Sequence, residues 1–488
     1  MSAVSGEERM LIDGTLVASS NGVTYPTINP ATEEVLGVCA DATAGDLARA
    51  IGAARTAFDE SSWSTDVALR VRCLRQLQQA MTAHGDELRA MTIAETGSPL
   101  FFTRSAALDE PVASLGWVAD LAENYQWTTD LGTARPLGMP ARRWVRREPT
   151  GVVAAITPWN VPHQINLAKI GPALAAGNTV VLKPAPDTPW CATTVGRLIA
   201  EETDIPAGVV NVVTSSVPDF GAALVTDPRV DQVSFTGSTD TGRKVMAAAA
   251  ATVKRVFLEL GGKSAFVVLD DADLSAACAT AAFMVCTHAG QGCAITTRLV
   301  VARRQFDEAV DLTAATLKGL AAGDPLDPGT VCGPLISERQ RTRVERYIRM
   351  IPEEGGSIVV GGGRPADRPQ GFFVEPTLAV GLGGDARVVR EEIFGPVLVV
   401  TPHDGDDDAV RLANDSPYGL SGSVWSGDRD RAMAVAARLR TGTVGVNGGV
   451  WYSPDVPFGG YKQSGLGREM GVAGFEEYLE TKSIAEPA

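Results

Sequence analysis

Gly151-Val152-Val153-Ala154-Ala155-Ile156, then Thr157-Pro158-Trp159-Asn160, then Val161 through Ala176, then Gly177-Asn178-Thr179-Val180-Val181-Leu182-Lys183 is the stretch on which the fold turns. Val152–Ile156 is a short unbroken apolar run and predicts a strand buried on both faces. Ile165–Ala176 predicts a helix, and Thr179–Leu182 a second strand ending at Lys183. A buried strand, a crossover helix and another buried strand make the unit of a parallel sheet flanked by helices. The same rhythm continues downstream. Val209–Val213 and Val230–Phe235 read as strands, Thr239–Ala250 as a helix with Ser238 as its N-cap, and Arg255–Leu260 as a further strand.

After Gly261-Gly262 the alternation starts again, and a domain boundary is expected there. Ala265–Leu269 and Arg298–Ala302 read as strands, Asp273–Val285 and Gln305–Leu320 as helices. Upstream, Leu47–Phe58 reads as a helix belonging with the first domain. Residues from Trp127 to Arg147 read as extended or hairpin structure, a candidate arm with the segment Glu477–Ile484. The expected division is 1–126 with 150–261, then 262–470, with 127–149 and 471–488 forming a small extra element. The class is α/β.

A chain of 488 residues is too long for one ordinary core, which agrees with two large domains. The net charge of −15, from 43 basic and 58 acidic residues, argues against nucleic acid or an anionic membrane as the main partner. No stretch approaches the roughly 20 apolar residues of a membrane-spanning helix. Met1 to Met10 is polar and acidic, unlike a secretory leader. The cysteines (Cys39, Cys73, Cys191, Cys278, Cys286, Cys293 and Cys332) are odd in number and scattered, without a Cys-x-x-Cys pair. That suits reduced thiols and a cytoplasmic location. Cys286 and His288 stand near Cys293 but match no common zinc spacing, so no metal is expected.

The chemistry centres on Gly290-Gln291-Gly292-Cys293 and Glu259-Leu260-Gly261-Gly262-Lys263. A cysteine in a glycine-rich bend is a candidate nucleophile, although most free cysteines are packing residues. Attack by its thiolate on an aldehyde makes an oxyanion that needs positioned donors, for which the Asn160 amide and the Cys293 N–H are candidates. Glu259 closes an apolar run where bare backbone lets a carboxylate project into a cleft. It is a candidate base for activating water, and for accepting the thiol proton.

Phe235-Thr236-Gly237-Ser238-Thr239-Asp240-Thr241-Gly242 follows a strand and opens a helix, the setting for a pyrophosphate on a helix N-terminus. It is not the usual Gly-x-Gly-x-x-Gly, and alone it reads equally well as a capped helix start. Lys183 at its strand end is placed to reach an adenosine ribose or a 2′-phosphate. Glu392, in Glu391-Glu392-Ile393-Phe394-Gly395-Pro396, is a candidate for the nicotinamide ribose, with Phe394 packing against the ring.

Together these segments resemble the aldehyde dehydrogenase superfamily, from about Asp13 to Lys482. The resemblance is carried by Thr157-Pro158-Trp159-Asn160, Leu182-Lys183-Pro184-Ala185, Phe235–Gly242, Glu259–Lys263, Gln291-Gly292-Cys293, Glu391–Pro396, Pro457-Phe458-Gly459-Gly460-Tyr461-Lys462 and Gly467-Arg468-Glu469. It implies a Rossmann-like cofactor-binding domain, a catalytic domain, and a small β oligomerisation element serving a homodimer or homotetramer. It implies attack by Cys293, an oxyanion held by Asn160, hydride transfer to the nicotinamide cofactor NAD, and hydrolysis of a thioester by water that Glu259 activates. Lys169 matches a lysine assigned to proton relay with the glutamate. On the cofactor side the resemblance brings in Thr157, Trp159, Lys183, Asp187 and Gly221, then Gly237, Ser238, Gly242 and Leu260, then Glu392 and Phe394.

Two departures from that pattern matter. Where NAD-preferring members often carry a glutamate, three residues after Lys183, this chain has Pro186, followed by Asp187. Pro186 neither bonds the ribose nor repels a 2′-phosphate, so NADP stays open beside NAD. In the substrate region, positions often held by an aromatic and a tryptophan carry Val161 and Ala168, while Phe458 remains with Trp451 and Tyr452 on the loop before it. Smaller walls predict a wider apolar tunnel and bulky apolar or aromatic aldehydes.

Three rival readings are weighed against this one. A CoA-acylating semialdehyde dehydrogenase usually lacks the water-activating glutamate, which is present here as Glu259. A Cys-His hydrolase built on Cys293 and His288 leaves Gly237–Gly242 and Glu392 unexplained; the other histidines are His84, His163 and His403. A non-catalytic structural relative has no need of Cys293, Glu259 and Asn160 together.

Overall fold

A computed structural model describes residues 4–488. The opening Gly151–Lys183 stretch forms the unit its sequence predicts: a strand at Val152–Ile156, a helix at Pro162–Ala176 and a parallel strand at Thr179–Lys183. The helix begins three residues before the expected Ile165, because Pro162 occupies its first turn, where a missing N–H costs nothing. It ends at Gly177, whose φ of +99° closes the last turn through N–H bonds to Ala173 and Leu174.

These strands belong to an eight-stranded sheet. Its core is five parallel strands in the spatial order Val210–Val212, Thr179–Lys183, Val152–Ile156, Gln232–Thr236 and Arg255–Glu259. The chain winds outward from Val152–Ile156 in one direction, then returns to continue in the other. The strand order therefore reverses between Val152–Ile156 and Gln232–Thr236, and a crevice opens beyond their carboxyl ends. All five residues of Val152–Ile156, Thr179–Lys183 and Gln232–Thr236 are buried or nearly so, as a sheet covered on both faces requires. Antiparallel strands close both edges: Met10–Ile12 with Thr15–Val17 on one side, and Gly465–Leu466 on the other.

The second sheet has seven strands, in the order Ser357–Val360, Thr377–Val380, Val397–His403, Thr296–Ala302, Ser264–Val268, Gly422–Trp425 and Gly445–Val446. All neighbours run parallel except the first pair. A three-stranded antiparallel sheet joins Thr128–Ala134, Ala141–Pro149 and Leu479–Pro487. Its roots are tied to the first sheet by Asn178, which accepts from Gly151 N at 2.8 Å and donates to the Tyr478 carbonyl at 3.0 Å. The helices Val67–Ala83, Gly85–Thr96 and Asp109–Asn124 fall in a region whose sequence showed only the helix at Leu47–Phe58. No helix among the described residues is long and apolar enough to cross a membrane. Residues 1–3, part of the acidic N-terminal stretch, lie outside the described residues.

Candidate active site

A cleft of about 1200 Å³ lies between the carboxyl ends of the first sheet and the amino ends of the second. From the first sheet come Pro158, Trp159 and Asn160, the turn Thr236–Thr241, and Glu259. From the second come Cys293, which precedes Thr296–Ala302, and Glu392 and Phe394, which precede Val397–His403.

Glycines let these ends approach. A Cβ on Gly261 would sit 2.3 Å from the Glu392 carboxylate, and one on Gly262 would sit 2.6 Å from the Cys293 carbonyl oxygen. The Gly262 N–H instead donates to Glu392 Oε1 at 3.0 Å. Ser464 ties the segment down. Its carbonyl accepts from Leu260 N at 2.9 Å, and its hydroxyl donates to the Gly261 carbonyl at 2.7 Å.

The loop before Cys293 is built from three consecutive residues in the left-handed region, His288 (φ +49°), Ala289 (φ +53°) and Gly290 (φ +71°). Non-glycine residues pay for that conformation, so the surroundings must hold it. Gln291 does so from a fully buried position. Its amide donates to the carbonyls of His288 and Pro334, both at 3.2 Å, and accepts from Ile336 N at 2.9 Å. The Gln291 main-chain carbonyl in turn receives Asn160 Nδ2 at 3.0 Å. One of the two amide hydrogens is thereby spent on orientation, and the other is left for an oxyanion. In the sequence Gln291 is only one residue of the Gly290–Cys293 bend; what it holds depends on a segment more than forty residues downstream. The ring nitrogens of His288 face the Asn160 carbonyl at 2.8 Å and the Ser98 hydroxyl at 3.4 Å, which removes the support for a Cys-His hydrolase.

Cys293 is half-buried, and its thiol faces the Glu259 carboxylate. Burial, and then that carboxylate, push the thiol well above its ordinary range. Glu259 is 1% exposed, and its Oε1 has no hydrogen-bond partner. Burial and the nearby charge of Glu469 raise it to about 8, against the opposing pull of the Cys293 hydrogen bond and of Lys169. Lys169 Nζ makes a fully buried ion pair with Glu469 Oε1 at 2.7 Å and donates to Ser234 Oγ at 3.2 Å. Glu469 was quoted in a motif without a role. Its place beside Lys169 comes from three hundred residues of intervening chain.

On the cofactor side, the Ser238 hydroxyl caps the helix Thr239–Ala249 by accepting from Thr241 N. Gly237 lines the cleft, and Gly242 packs on Leu260, where a Cβ would sit 2.5 Å from the leucine side chain. Leu260 is thus a buried prop behind the helix start. Trp159 and Phe394 stack edge to face at 5.4 Å. The hydroxyls of Thr157 and Thr236 are buried without partners. Glu392 is half-buried, and desolvation in the cleft pushes it to about 7. Lys183, Asp187 and Gly221 gather beside the cleft and do not line it. Lys183 donates to the Pro184 carbonyl at 3.1 Å, Gly221 would place a Cβ 3.8 Å from its stem, and Asp187 lies 3.8 Å from Arg339. Burial lowers Lys183 to about 8.

Trp451 and Phe458 stack with centroids 5.2 Å apart and planes 3° from parallel. Val161 is buried at the start of its helix. Ala168 and Tyr452 line a separate small cavity of about 30 Å³ with Trp117, Gln164 and Phe475. Trp117 reaches it from the helix Asp109–Asn124, so an aromatic stands beside the space left by Ala168. Nothing local in the sequence marked Trp117 for this position.

Residues 16–484 match the model of the aldehyde dehydrogenase family. The chain is 42% identical to 3-succinoylsemialdehyde-pyridine dehydrogenase of a Pseudomonas species over 478 residues, 97% of each protein. It is 39% identical to geranial dehydrogenase of Castellaniella defragrans over 480 residues, 98% of each. Betaine aldehyde dehydrogenase of Staphylococcus aureus, solved in complex with NAD+, superposes with a TM-score of 0.95 at 36% identity, covering 99% of this chain and 95% of that one.

The glycine contacts make a prediction. In Gly262→Ala the added Cβ meets backbone rather than a movable side chain, so Cys293 must shift. Turnover should fall by about 100-fold or more while circular dichroism and thermal midpoint stay near those of the parent. Parent-like turnover would show that the approach is looser than described.

Proposed function

The chain belongs to the aldehyde dehydrogenase family, and on that footing we propose that it oxidises an aldehyde to the carboxylic acid at Cys293, with hydrolysis driven by Glu259. The observation that carries this reading is the Cys293 thiol set against the buried Glu259 carboxylate, with the Asn160 amide oriented by Gln291 beside them.

The cleft fits a dinucleotide in volume, and the residues present suit one. The helix start at Ser238 offers N–H groups to a pyrophosphate, the unpartnered Thr157 and Thr236 hydroxyls await acceptors or donors, and Glu392 is placed for ribose hydroxyls. When bound, NAD+ supplies the hydride acceptor.

The chain's own residues do the rest. Cys293 loses its proton to Glu259, and sulfur bonds to the aldehyde carbon as the carbonyl electrons move to oxygen. The free hydrogen of Asn160 Nδ2 and the Cys293 N–H hold that oxyanion. Departure of hydride leaves a thioester on Cys293. Glu259 gives up the thiol proton toward the Lys169–Glu469 pair and so returns to the carboxylate; it then takes a proton from water while the water oxygen bonds to the thioester carbon. Collapse expels the Cys293 thiolate and frees the acid. The Lys169–Glu469 pair lies where it can pass on the proton that Glu259 gathers. Glu259 in this position favours water over CoA as the acceptor of the acyl group. The arm formed by 127–149 and 471–488 is the proposed homo-oligomer contact, and the cytoplasm the proposed location.

Formation of NADH across an aldehyde panel, with Cys293→Ala beside the parent, tests this reading; turnover that survives in Cys293→Ala would end it. The pH profile tests Glu259. Its working form is the carboxylate, and its value is about 8, so steady-state turnover should rise with pH through about 8 and then level. Glu259→Gln should lose that limb and retain a single burst of NADH per subunit.

NADP is proposed as a second cofactor. Pro186 presents no charge, Asp187 is countered by Arg339, and Lys183 is at hand to pair with a 2′-phosphate. kcat/KM for NAD+ and NADP+ should agree within about tenfold, and a several-hundred-fold preference for NAD+ would sink the idea. The proposed substrates are bulky apolar or aromatic aldehydes, supported by Val161, the Trp451–Phe458 stack and the likeness to a geranial dehydrogenase. Val161→Phe should cost large aldehydes more than propanal. An equal loss on both would remove the argument.

A further inference from the structure

Ser234 stands in the middle of the strand Gln232–Thr236 and is fully buried. Its hydroxyl accepts from Lys169 Nζ at 3.2 Å and lies 2.9 Å from the Tyr478 hydroxyl. Tyr478 is 1% exposed and immediately precedes the strand Leu479–Pro487, at the root of the three-stranded arm. Its carbonyl accepts from Asn178 Nδ2 at 3.0 Å and from Thr150 N at 3.3 Å, so its backbone is held as firmly as its ring.

We propose that Tyr478 is a positioning residue for the reaction: through Ser234 it holds the Lys169 ammonium where its charge acts on Glu259, and so sets the pH at which Glu259 begins to work. The inference rests on the reading of Glu259 and Lys169 given above.

A buried ammonium has three hydrogens to place and tolerates none of them unmatched. Glu469 Oε1 takes one at 2.7 Å and Ser234 Oγ another, while the Phe257 ring lies 4.9 Å from Nζ. A hydroxyl rotates, and a serine whose own hydrogen has no other acceptor competes poorly for the lysine. The phenol settles this. With Ser234 donating to the Tyr478 oxygen, the seryl hydrogen is matched and a lone pair is left turned toward Lys169. The charged groups around this chain are few. Glu469 and Glu259 act with Lys169, Glu469 and Glu477 lie near Tyr478, and Cys293, Glu469 and Glu392 act on Glu259. Lys169 is the one cation among the groups that hold Glu259 down. Loosening its hold raises Glu259, and a base with a raised value starts to work at higher pH.

Tyr478→Phe keeps the buried ring and removes one oxygen. The ascending limb of steady-state turnover should move up by about half to one pH unit, which lowers turnover below the limb by about 3- to 10-fold. The NADH burst per subunit and the dissociation constant for NAD+, read by tryptophan fluorescence, should stay as in the parent. Ser234→Ala should shift the limb in the same direction. A Tyr478→Phe limb that stays in place, or a loss of turnover equal at every pH, overturns the proposal. Lys169→Met separates the two levels of argument. If its limb moves while that of Tyr478→Phe does not, the inference fails and the reading of the site stands. If the Lys169→Met limb also stays in place, the role given to Lys169 fails and the inference falls with it.

Discussion

Bare backbone at Gly261 and Gly262 is the constraint on which the site depends. The chain leaves the first sheet at Glu259 and enters the second at Ser264, and the few residues between pass within contact of Glu392 and of the Cys293 carbonyl. A single Cβ at either glycine would occupy space already taken. With no side chain there, the Glu259 carboxylate from one sheet and the Cys293 thiol from the other can face each other. The Gly262 N–H is also free to bond Glu392, the carboxylate placed for the cofactor ribose. The same steric fact thus brings Cys293, Glu259 and Glu392 together.

Burial then sets the electrostatics. Glu259, Glu392 and the Cys293 thiol are all raised by removal from water, and carboxylates crowd one another in the cleft. Lys169 and Glu469 form a fully buried ion pair within that environment. Such pairs are weak contributors to stability, because the desolvation of both charges offsets most of their attraction. Here the pair is better understood through its charges, since Glu469 raises Glu259 and Lys169 lowers it. Ser234 and Tyr478 extend the arrangement, so the root of the three-stranded sheet is joined to Lys169 through the Ser234 hydroxyl.

Much of the parallel-sheet framework was legible in the sequence, because a strand buried on both faces writes itself as an unbroken apolar run. Val152–Ile156, Thr179–Lys183 and Arg255–Glu259 match their runs to within a residue. Ser238 was legible as an N-cap because capping is local chemistry. The helices between Val67 and Asn124 were not singled out, since an amphipathic pattern with modest contrast does not announce where it packs. The short edge strand Gly465–Leu466 was missed for a different reason: it pairs with Leu258 and Glu259 only because the chain returns there after two hundred residues. In the site, Cys293, Glu259 and Asn160 stood out only through the combined motifs and the family resemblance those carry, since Cys293 or Glu259 alone reads as well as a packing or surface residue. Gln291, Glu469, Ser234 and Tyr478 work through partners remote in sequence, and no local pattern could connect them.

What the sequence alone determined is the order of buried strands, the bends at their ends and the kinds of reactive group those bends carry, since each follows from periodicity and local backbone chemistry. What only the tertiary structure decided is which of those groups meet. Glu259 is raised because it is buried and Glu469 crowds it, while Lys169 opposes the rise. Asn160 points its amide inward because Gln291 takes one of its hydrogens. Trp117 stands beside Ala168 because a helix from the first 126 residues packs across. Such effects depend on distance and burial, which fall off within a few ångströms of space and bear no fixed relation to separation along the chain.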